Sequence, residues 1–497
     1  AKLFNNPFSY DMVGQAGKRL GADDVVDTTV DQLNHFTGQE PAFTGLVTNV
    51  YNCFGICYRF INTAWRREVC TLFKSTACAS TKKFNTTDTK AGDHRGLLTH
   101  TKVICLINLV VETVEHEVSV ISALQAMNNL NEDKYDIVPI YISKDRTWYT
   151  GHMLRDIEFY KDFDMEKRYA TKVMLYKKGK TFILQRTTGL FRKDVTDLDV
   201  ILPVVHGNNV EDGSLAGLLD SIGIPYVGSH VLGGALGQDK VIMKQVMQAV
   251  GLPIVDYTWF YDNEYLDDKE KILDNIKKIG YPVIVKPATL GSSIGIGKAH
   301  SAKEIEAKIE EAIEYDNKIV VEKVIEDLTE VNASVLGNYE YQKVSPLEEV
   351  MGVDEILSYA DKYLGNAKAK GTASKGMAST NRIVPARISD KLTKEIGETA
   401  KEVFKTLNLS GVCRIDFLID KKDNKFYVNE PNTCPGSLSF YLWKEAGVKY
   451  CDLLDEMISI AIKEYKHKNK KTMSFNSTIF DGFNGSKGLK GMKGLKN

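Results

Sequence analysis

Hydrophobic and polar positions change period several times along this 497-residue chain, and the changes divide it. From Lys102, VICLINLVV is a continuous apolar run of the kind a buried parallel strand shows. Residues 116 to 130 then set Val118, Ile121, Leu124 or Gln125, and Met127 at helical spacing, so a βα unit is predicted to start there. IVPIYIS follows as a strand, and Pro139, which has no N–H to offer a neighbour, places it near a sheet edge. VMLYKKGKTFIL predicts a hairpin about Lys178 and Gly179, and DVILPVVHG a further buried strand ending at His206 and Gly207. In EDGSLAGLLDSIG, Leu215, Leu218, Leu219 and Ile222 predict the inward face of a helix that Gly223 stops. Strands alternating with helices imply an open α/β sheet whose ligands sit beyond the carboxyl ends of strands, which puts His206 and Glu211 at a candidate site.

A second unit begins near Gly228. Asp239 can cap a helix that carries Lys240 in its first turn and Met243, Val246, Met247 and Val250 on one face. In GYPVIVKPATLGSSIGIGKAHS, a strand bearing Lys286 runs into a glycine- and serine-rich tip and returns as a second strand. Such a tip lets backbone N–H groups approach phosphate oxygens with no Cβ in the way. It is not a Walker A loop, because no GKS or GKT follows, and a flexible hairpin tip fits the same residues. Ser301 and Glu304 predict a capping box for a helix with Ile305, Ile309 and Ile313 inward. KIVVEKVIED predicts a strand whose acidic end offers Glu322 and, further on, Glu330 to an adenine amino group and ribose hydroxyls, or to solvent. Residues 359 to 386 are rich in Lys, Gly, Ala and Ser, which predicts a mobile basic loop able to close over phosphates. An amphipathic helix is predicted over 389 to 408, with Leu392, Ile396, Ala400, Val403, Phe404 and Leu407 inward.

The most informative stretch follows. Residues 412 to 419 alternate, so Cys413, Ile415, Phe417 and Ile419 share one face of a strand while Arg414 and Asp416 share the other. A polar turn, KKDNK, leads into a strand that ends on Glu430 and Asn432. Two carboxylates and an amide carbonyl beside one arginine suit Mg²⁺, which prefers carboxylates plus substrate phosphates, and the arginine can stabilise developing negative charge. The same residues also describe a solvated surface hairpin.

Composition narrows the partners. The chain is 43% hydrophobic and 26% charged with a formal net charge of −1, so neither nucleic acid nor an acidic membrane is expected as a partner. Residues 43 to 65 are interrupted by Thr, Asn and Arg and do not read as a membrane span. No secretory signal is visible, and a cytoplasmic setting is expected. Cys53, Cys57, Cys70 and Cys78 lack the paired C-x2-C spacing of common zinc sites, and Cys105, Cys413, Cys434 and Cys451 read as small buried hydrophobes. Residues 1 to 100 show no sustained periodicity and are expected to form a poorly ordered extension and linker. The expected divisions are that extension, an α/β lobe over 101 to 227, a domain over 228 to 465, and a Lys/Gly-rich tail over 466 to 497.

Taken together, EHEVS (115 to 119), HGNNVEDGSLAG (206 to 217), GIPYVGS (223 to 229), KPATLGSSIGIGK (286 to 298), DKY (361 to 363), CRIDFLID and NEPNTCPGS resemble the D-alanine–D-alanine ligase family of the ATP-grasp superfamily. The likeness runs from about residue 101 to 465. It implies an N-terminal open α/β lobe followed by a two-lobed ATP-grasp domain, and so a fold of α/β and α+β character. It also implies the reaction: ATP phosphorylates the carboxylate of one D-alanine, and the amine of a second attacks the acyl phosphate. By the same resemblance Lys240, Lys286 and Lys362 hold ATP phosphates. Ser292 and the loop amides hold the transferring phosphoryl, Ser293 also binds ATP, and Glu322, Lys323 and Glu330 hold the nucleoside. Asp416, Glu430 and Asn432 bind two Mg²⁺ ions, with Mn²⁺ as a substitute. Arg414 stabilises the tetrahedral intermediate, and Glu115, linked through Ser292 and Tyr363, receives the first ammonium. His206 lies near the second substrate, and a homodimer is implied. The chain departs from the family pattern twice. Val110 and Val111 replace two glycines before EHEVS, and SLSFYLW replaces FTSHS. Tyr441 thus stands where a serine would meet the second carboxylate, with Ser437 and Ser439 as its nearest substitutes.

Overall fold

The computed structural model describes residues 101–108, 116–189, 191–291, 293–351 and 382–472, with backbone alone for 101–108. The expected extension over 1–100, Val110, Val111, Glu115, Ser292, Lys362, Tyr363, the basic loop as far as residue 381 and the tail from 473 lie outside the described residues. Strand β1 (Thr101–Asn108) pairs in parallel with β2 (Tyr135–Ile142) on one side and β7 (Val200–Val204) on the other. Antiparallel strands β3 (Trp148–Thr150), β4 (Thr171–Lys178), β5 (Thr181–Arg186) and β6 (Asp194–Leu198) extend this sheet in the order β6-β5-β4-β3-β2-β1-β7. The β4–β5 hairpin turns at Gly179, as its sequence predicts. Helix α1 (His116–Asn129) buries Val120, Ala123, Leu124 and Met127, so Leu124 rather than Gln125 faces inward.

Three expectations need correction. Strand β2 is not at an edge: it lies between β1 and β3. Proline is tolerated there because β3 pairs only with Ile140 to Ile142, and the Pro139 carbonyl accepts the Thr150 hydroxyl at 2.7 Å. On that side no neighbour waits for an N–H. In α2 (Ser214–Ile222), Leu215, Ala216 and Leu219 are buried but Leu218 is 45% exposed. At about 100° per residue, 215, 216, 219 and 222 fall within one arc and 218 lies outside it. Cys434 and Cys451 are only partly buried, unlike Cys413.

After α3 (Val231–Gln238), the Asp239 carboxylate caps α4 (Lys240–Ala249) by accepting from the Val241 and Ile242 N–H groups at 2.9 and 3.0 Å. Met243 and Met247 are fully buried, whereas Val250 closes the helix at 53% exposure instead of extending its apolar face. A four-stranded antiparallel sheet follows, built from β8 (Tyr257–Tyr261), β9 (Val283–Pro287), β10 (Gly297–Ala299) and β11 (Lys318–Lys323) in the order β10-β9-β11-β8. Helices α5 (Lys269–Ile279) and α6 (Ile305–Ile313) cover one face through Ile272, Ile276, Ile305 and Ile309. The expected capping box at α6 is absent: the Ser301 hydroxyl meets the Glu304 carboxylate at 3.0 Å, and Glu304 itself is the N-cap residue.

The last sheet contains β12 (Leu328–Gly337), β13 (Gln342–Val344), β14 (Glu348–Val350), β15 (Arg382–Ile383), β16 (Gly411–Asp420) and β17 (Lys425–Asn432). Its order is β15-β14-β12-β16-β17, with β13 paired to β12. Helix α7 (Asp390–Thr406) packs Ile396, Ala400, Val403 and Phe404 against Val331, Ala333, Val335, Ile415 and Phe417. Each large apolar side chain so buried contributes about 1.5–3 kcal/mol, and that contact fixes which face of β12 and β16 is left for chemistry. Helix α8 (Phe440–Glu445) leads to α9 (Tyr450–Lys468), whose Leu453, Leu454, Met457 and Ile458 join Val120, Met127, Leu202 and Val204 in the core of the first sheet. Among the described residues no helix is long and apolar enough to cross a membrane.

Candidate active site

Cross-strand partners in a sheet share a face. On the face away from α7, Glu348, Asn332, Asp416 and Glu430 form one row across β14, β12, β16 and β17. Arg414 and Asn432 form the adjacent row with Ser334, and Glu330 lies on the same face along β12. Glu430 reaches this face only because of a bulge. Asp416 pairs with Glu430 but Phe417 pairs with Val428, which leaves Asn429 as an extra residue. Without that residue Glu430, two positions after the buried Val428, would point into the apolar core.

Asp416 organises the row. Its carboxylate takes the Arg414 guanidinium through two bonds, Nε to Oδ1 at 2.7 Å and Nη2 to Oδ2 at 2.8 Å. The Asn432 amide nitrogen donates to Oδ2 at 3.1 Å, which leaves its carbonyl oxygen directed elsewhere. At the β17 end the Lys240 ammonium is 3.5 Å from Glu430 Oε2 and donates to the Leu290 carbonyl at 2.6 Å. Lys240 therefore ties the first turn of α4 both to the row and to the glycine-rich β9–β10 tip. In that tip Gly295 and Ser293 have φ of 63° and 61°, the left-handed region that glycine enters at little cost. Gln238 adds a bond of 2.6 Å to the Thr289 carbonyl at the tip's base.

A buried charge cluster joins β9, β11 and α4. Glu322 on β11 is 2% exposed and sits between Lys286 Nζ at 3.0 Å and Lys244 Nζ at 3.3 Å. Lys286 also lies 3.5 Å from Asn429 Oδ1, so the bulge touches this cluster too. Burial alone would raise the Glu322 carboxyl, but Lys244 and Lys286 outweigh it and hold it at about 2. Burial disfavours charge on Lys286 as well, yet Glu322 and Glu430 keep its ammonium above the ordinary lysine value. Lys244 is pulled below that value by burial, against the opposing pull of Glu322. Its Nζ is within ion-pair reach of Glu322 but makes no hydrogen bond among the described residues. Lys323 is committed elsewhere: its ammonium donates to the Gly280 and Tyr281 carbonyls, each at 2.9 Å.

His206 follows β7 and is 6% exposed. Its N–H donates to Ser119 Oγ at 3.0 Å and its Nε2 lies 3.3 Å from Ser122 Oγ. Burial lowers its pKa to about 4, against a hydrogen bond with the Cys434 backbone, so the ring is neutral at physiological pH. Ser437 N–H donates to the same Ser122 Oγ at 2.9 Å, which links His206 to the turn after β17. Ser437, Leu438 and Ser439 have φ of 53°, 52° and 50°, three successive left-handed residues with no glycine among them. Left-handed helical backbone costs roughly 1–2 kcal/mol per L-residue, and strain of this kind concentrates at functional sites. Ser439 Oγ is buried with no hydrogen-bond partner among the described residues. Glu211 proves to be a strut: its carboxylate accepts from Gly207 N–H at 2.7 Å and Cys434 N–H at 3.2 Å, pinning the loop after β7 to the loop after β17.

Family comparisons bear on this geometry directly. A profile described as "D-ala D-ala ligase N-terminus" matches residues 111–229, and one described as "D-ala D-ala ligase C-terminus" matches residues 246–459. The chain belongs to the D-alanine–D-alanine ligase family. A D-alanine–D-alanine ligase of Thermosipho melanesiensis is 38% identical over 370 residues, covering 74% of this chain and 95% of the relative. Among solved structures, the D-alanine–D-alanine ligase from Coxiella burnetii matches with a TM-score of 0.61 at 26% identity, over 75% of this chain and 96% of that one. The VanG D-Ala:D-Ser ligase from Enterococcus faecalis matches with a TM-score of 0.59 at 27% identity, over 73% of this chain and all of that one (100%). These ligases are ATP-grasp proteins, so the three-sheet arrangement is the expected fold.

Sequence reasoning missed four residues that the structure places at this candidate site. Asn429 carries no signal beyond the bulge it makes. Lys244 could have been noticed as a lysine flanked by the inward Met243 and Met247. Glu348 and Arg382 meet Tyr441 only through tertiary structure: Tyr441 Oη donates to Glu348 at 3.2 Å, and the Arg382 guanidinium lies 4.0 Å from the centre of the Tyr441 ring.

Proposed function

We infer that this chain is an ATP-dependent carboxylate–amine ligase that joins two D-alanine molecules through an acyl phosphate, supplying a peptidoglycan precursor. Family membership over most of the chain supports this, and the observation that carries it is the row Arg414, Asp416, Glu430 and Asn432 beside Lys240 and Lys286. A surface hairpin would leave these groups solvated. Here Asp416 is 4% exposed and already bonded to the arginine.

Lys240 and Lys286 would draw the phosphates toward the glycine-rich tip, with Ser293 and the tip amides around the transferred group. Glu322, by holding two ammonium groups in place, orients Lys286 toward the phosphates rather than gripping the nucleoside itself; Glu330 and the Lys323 backbone remain candidates for that. Asp416, Glu430 and the carbonyl of Asn432 form a hard-oxygen donor set that fits Mg²⁺. The ion, when bound, would neutralise phosphate charge. Arg414 and Lys240 pair with the carboxylates of Asp416 and Glu430. Arg414 would then stabilise the oxyanion of the tetrahedral intermediate. Most of the acceleration comes from positioning and charge, because phosphoryl transfer asks little covalent work of the protein. We also propose the roles implied for Glu115, Ser292, Lys362 and Tyr363, the division of the chain near residue 228, a homodimer and a cytoplasmic location where ATP is present.

A second reading keeps the chemistry and changes the second amino acid. Tyr441 favours it, since a phenol bonded to Glu348 replaces the hydroxyl implied for the acceptor carboxylate. Phosphate release from ATP and Mg²⁺ with D-alanine, L-alanine, D-serine, D-lactate or no addition, followed by product mass, tests both. Phosphate with D-alanyl-D-alanine is the expected result. Release only when D-serine or another partner joins D-alanine moves the assignment to a mixed ligase, and ATP binding without turnover contradicts both.

A further inference from the structure

Lys244 follows Lys240 by one turn of α4, and its side chain is 0% exposed. Its Nζ lies 3.3 Å from Glu322 Oε1 and 5.9 Å from the centre of the Tyr257 ring, and it makes no hydrogen bond among the described residues. Taking an ammonium out of water is costly unless it is both paired and hydrogen-bonded. Glu322 does not need this second cation, because Lys286 already donates to its Oε2 at 3.0 Å. The next carboxylate, Glu430, lies beside Lys240 at 3.5 Å. With both amines protonated, Glu322, Lys244 and Lys286 carry one more positive charge than negative. A buried surplus of this kind opposes folding and favours the arrival of an anion. Lys244 therefore calls for a reason beyond packing.

The two amines differ in what they can reach. Lys286 is 10% exposed, lies 3.5 Å from Asn429 Oδ1 and stands on β9, the strand that enters the glycine-rich tip. Lys244 lies under α4, where Val241 of that helix packs with Val320 and Tyr257 of the sheet. With no exposed surface of its own, Lys244 can act on a ligand only through Glu322. The carboxylate is shared oxygen by oxygen, Oε1 toward Lys244 and Oε2 toward Lys286. A phosphate that draws Lys286 away would leave Oε2 without its donor in a buried place, which is costly. Lys244 has N–H groups to give, and a small shift would turn its 3.3 Å approach into a hydrogen bond.

We propose that Lys244 is a positioning residue: it takes over the Glu322 carboxylate when the nucleotide arrives, so that the Lys286 ammonium is free to turn to the phosphates. This rests on the ligase reading above, in which Lys286 meets phosphate. The test measures the Kd for ATP and for adenosine, the KM values and the urea midpoint of Lys244→Met in the full chain, with Lys286→Met beside it. Methionine is nearly as long as lysine and leaves the pair of Glu322 and Lys286 whole, so the urea midpoint is expected to equal or exceed that of the wild type. Without a second donor, Lys286 stays on Glu322. The Kd and KM for ATP should then rise roughly ten- to a hundredfold, while the KM for D-alanine holds. Adenosine, which has no phosphate, should bind as before. A lysine that only supports the fold would move ATP and adenosine together, so equal losses for the two, or an unchanged Kd for ATP, overturn the proposal. If Lys244→Met does not fold, Lys244→Leu decides by the same ratio: a loss confined to ATP supports the proposal and its absence refutes it. Lys286→Met keeps the two readings apart. Unchanged ATP binding in that variant overturns the phosphate role of Lys286 itself, whereas weakened binding there with normal binding in Lys244→Met overturns the role of Lys244 alone.

Discussion

Asp416→Asn is expected to lower kcat by on the order of a thousandfold, the several kcal/mol that a lost metal ligand and a misplaced oxyanion donor together represent. The substitution keeps the volume of a side chain that is 4% exposed and leaves Arg414 a hydrogen-bond acceptor, so the fold is preserved while the charge is lost. Alanine would be a poorer probe, because it strands a buried guanidinium without a partner. Phosphate release at saturating ATP and D-alanine reads the rate, and the Mg²⁺ concentration for half-maximal rate should rise in parallel. A variant that turns over at nearly the wild-type rate removes Asp416 from the metal site.

The largest stability effect is expected at Glu322. Glu322→Gln leaves Lys244 and Lys286 facing each other without a counter-charge in a buried site. Breaking such a cluster typically costs about 3–5 kcal/mol, to be read as a lower urea midpoint at pH 7. The sign of the pH dependence follows from the depressed carboxyl. Its pKa is about 2 in the folded chain against an ordinary 4.5, so the native state favours the ionised form. The associated stabilisation, roughly 3 kcal/mol at 1.36 kcal/mol per pKa unit, is fully present above about pH 4.5 and is lost as pH falls toward 2. Urea midpoints should therefore converge for wild type and Glu322→Gln as the pH is lowered through that window. Midpoints that stay equally far apart at every pH would show that the cluster does not ionise as the geometry implies.

Much of this was legible in the sequence because it depends on local periodicity. Alternation along β16 separates Arg414 and Asp416 from Cys413, Ile415, Phe417 and Ile419, and α7 with its C-cap Leu407 buries Leu392, Ile396, Ala400, Val403, Phe404 and Leu407 as the spacing predicts. What stayed hidden depends on neighbours far along the chain. Pro139 is admitted to a sheet interior by the shortness of β3, a strand on another segment. Alternation alone would send Glu430 to the same face as Val428; only the bulge at Asn429, set by pairing with β16, sends it to the site. Glu322 reads as an open acidic strand end, but Lys244, 78 positions earlier and brought over by α4, closes it. The left-handed run at Ser437, Leu438 and Ser439 has no glycine to announce it. For Pro139, Glu430 and Glu322 a tertiary contact overrides a local preference.

The central claim is that the first D-alanine is activated as an acyl phosphate between Lys286 and Arg414. It is tested most directly with D-alanine labelled with ¹⁸O in its carboxylate, by mass analysis of the phosphate released during turnover with ATP. Phosphate carrying one ¹⁸O atom is the expected result, because the carboxylate oxygen that attacks ATP leaves with the phosphoryl group. Unlabelled phosphate accompanied by dipeptide would contradict the account.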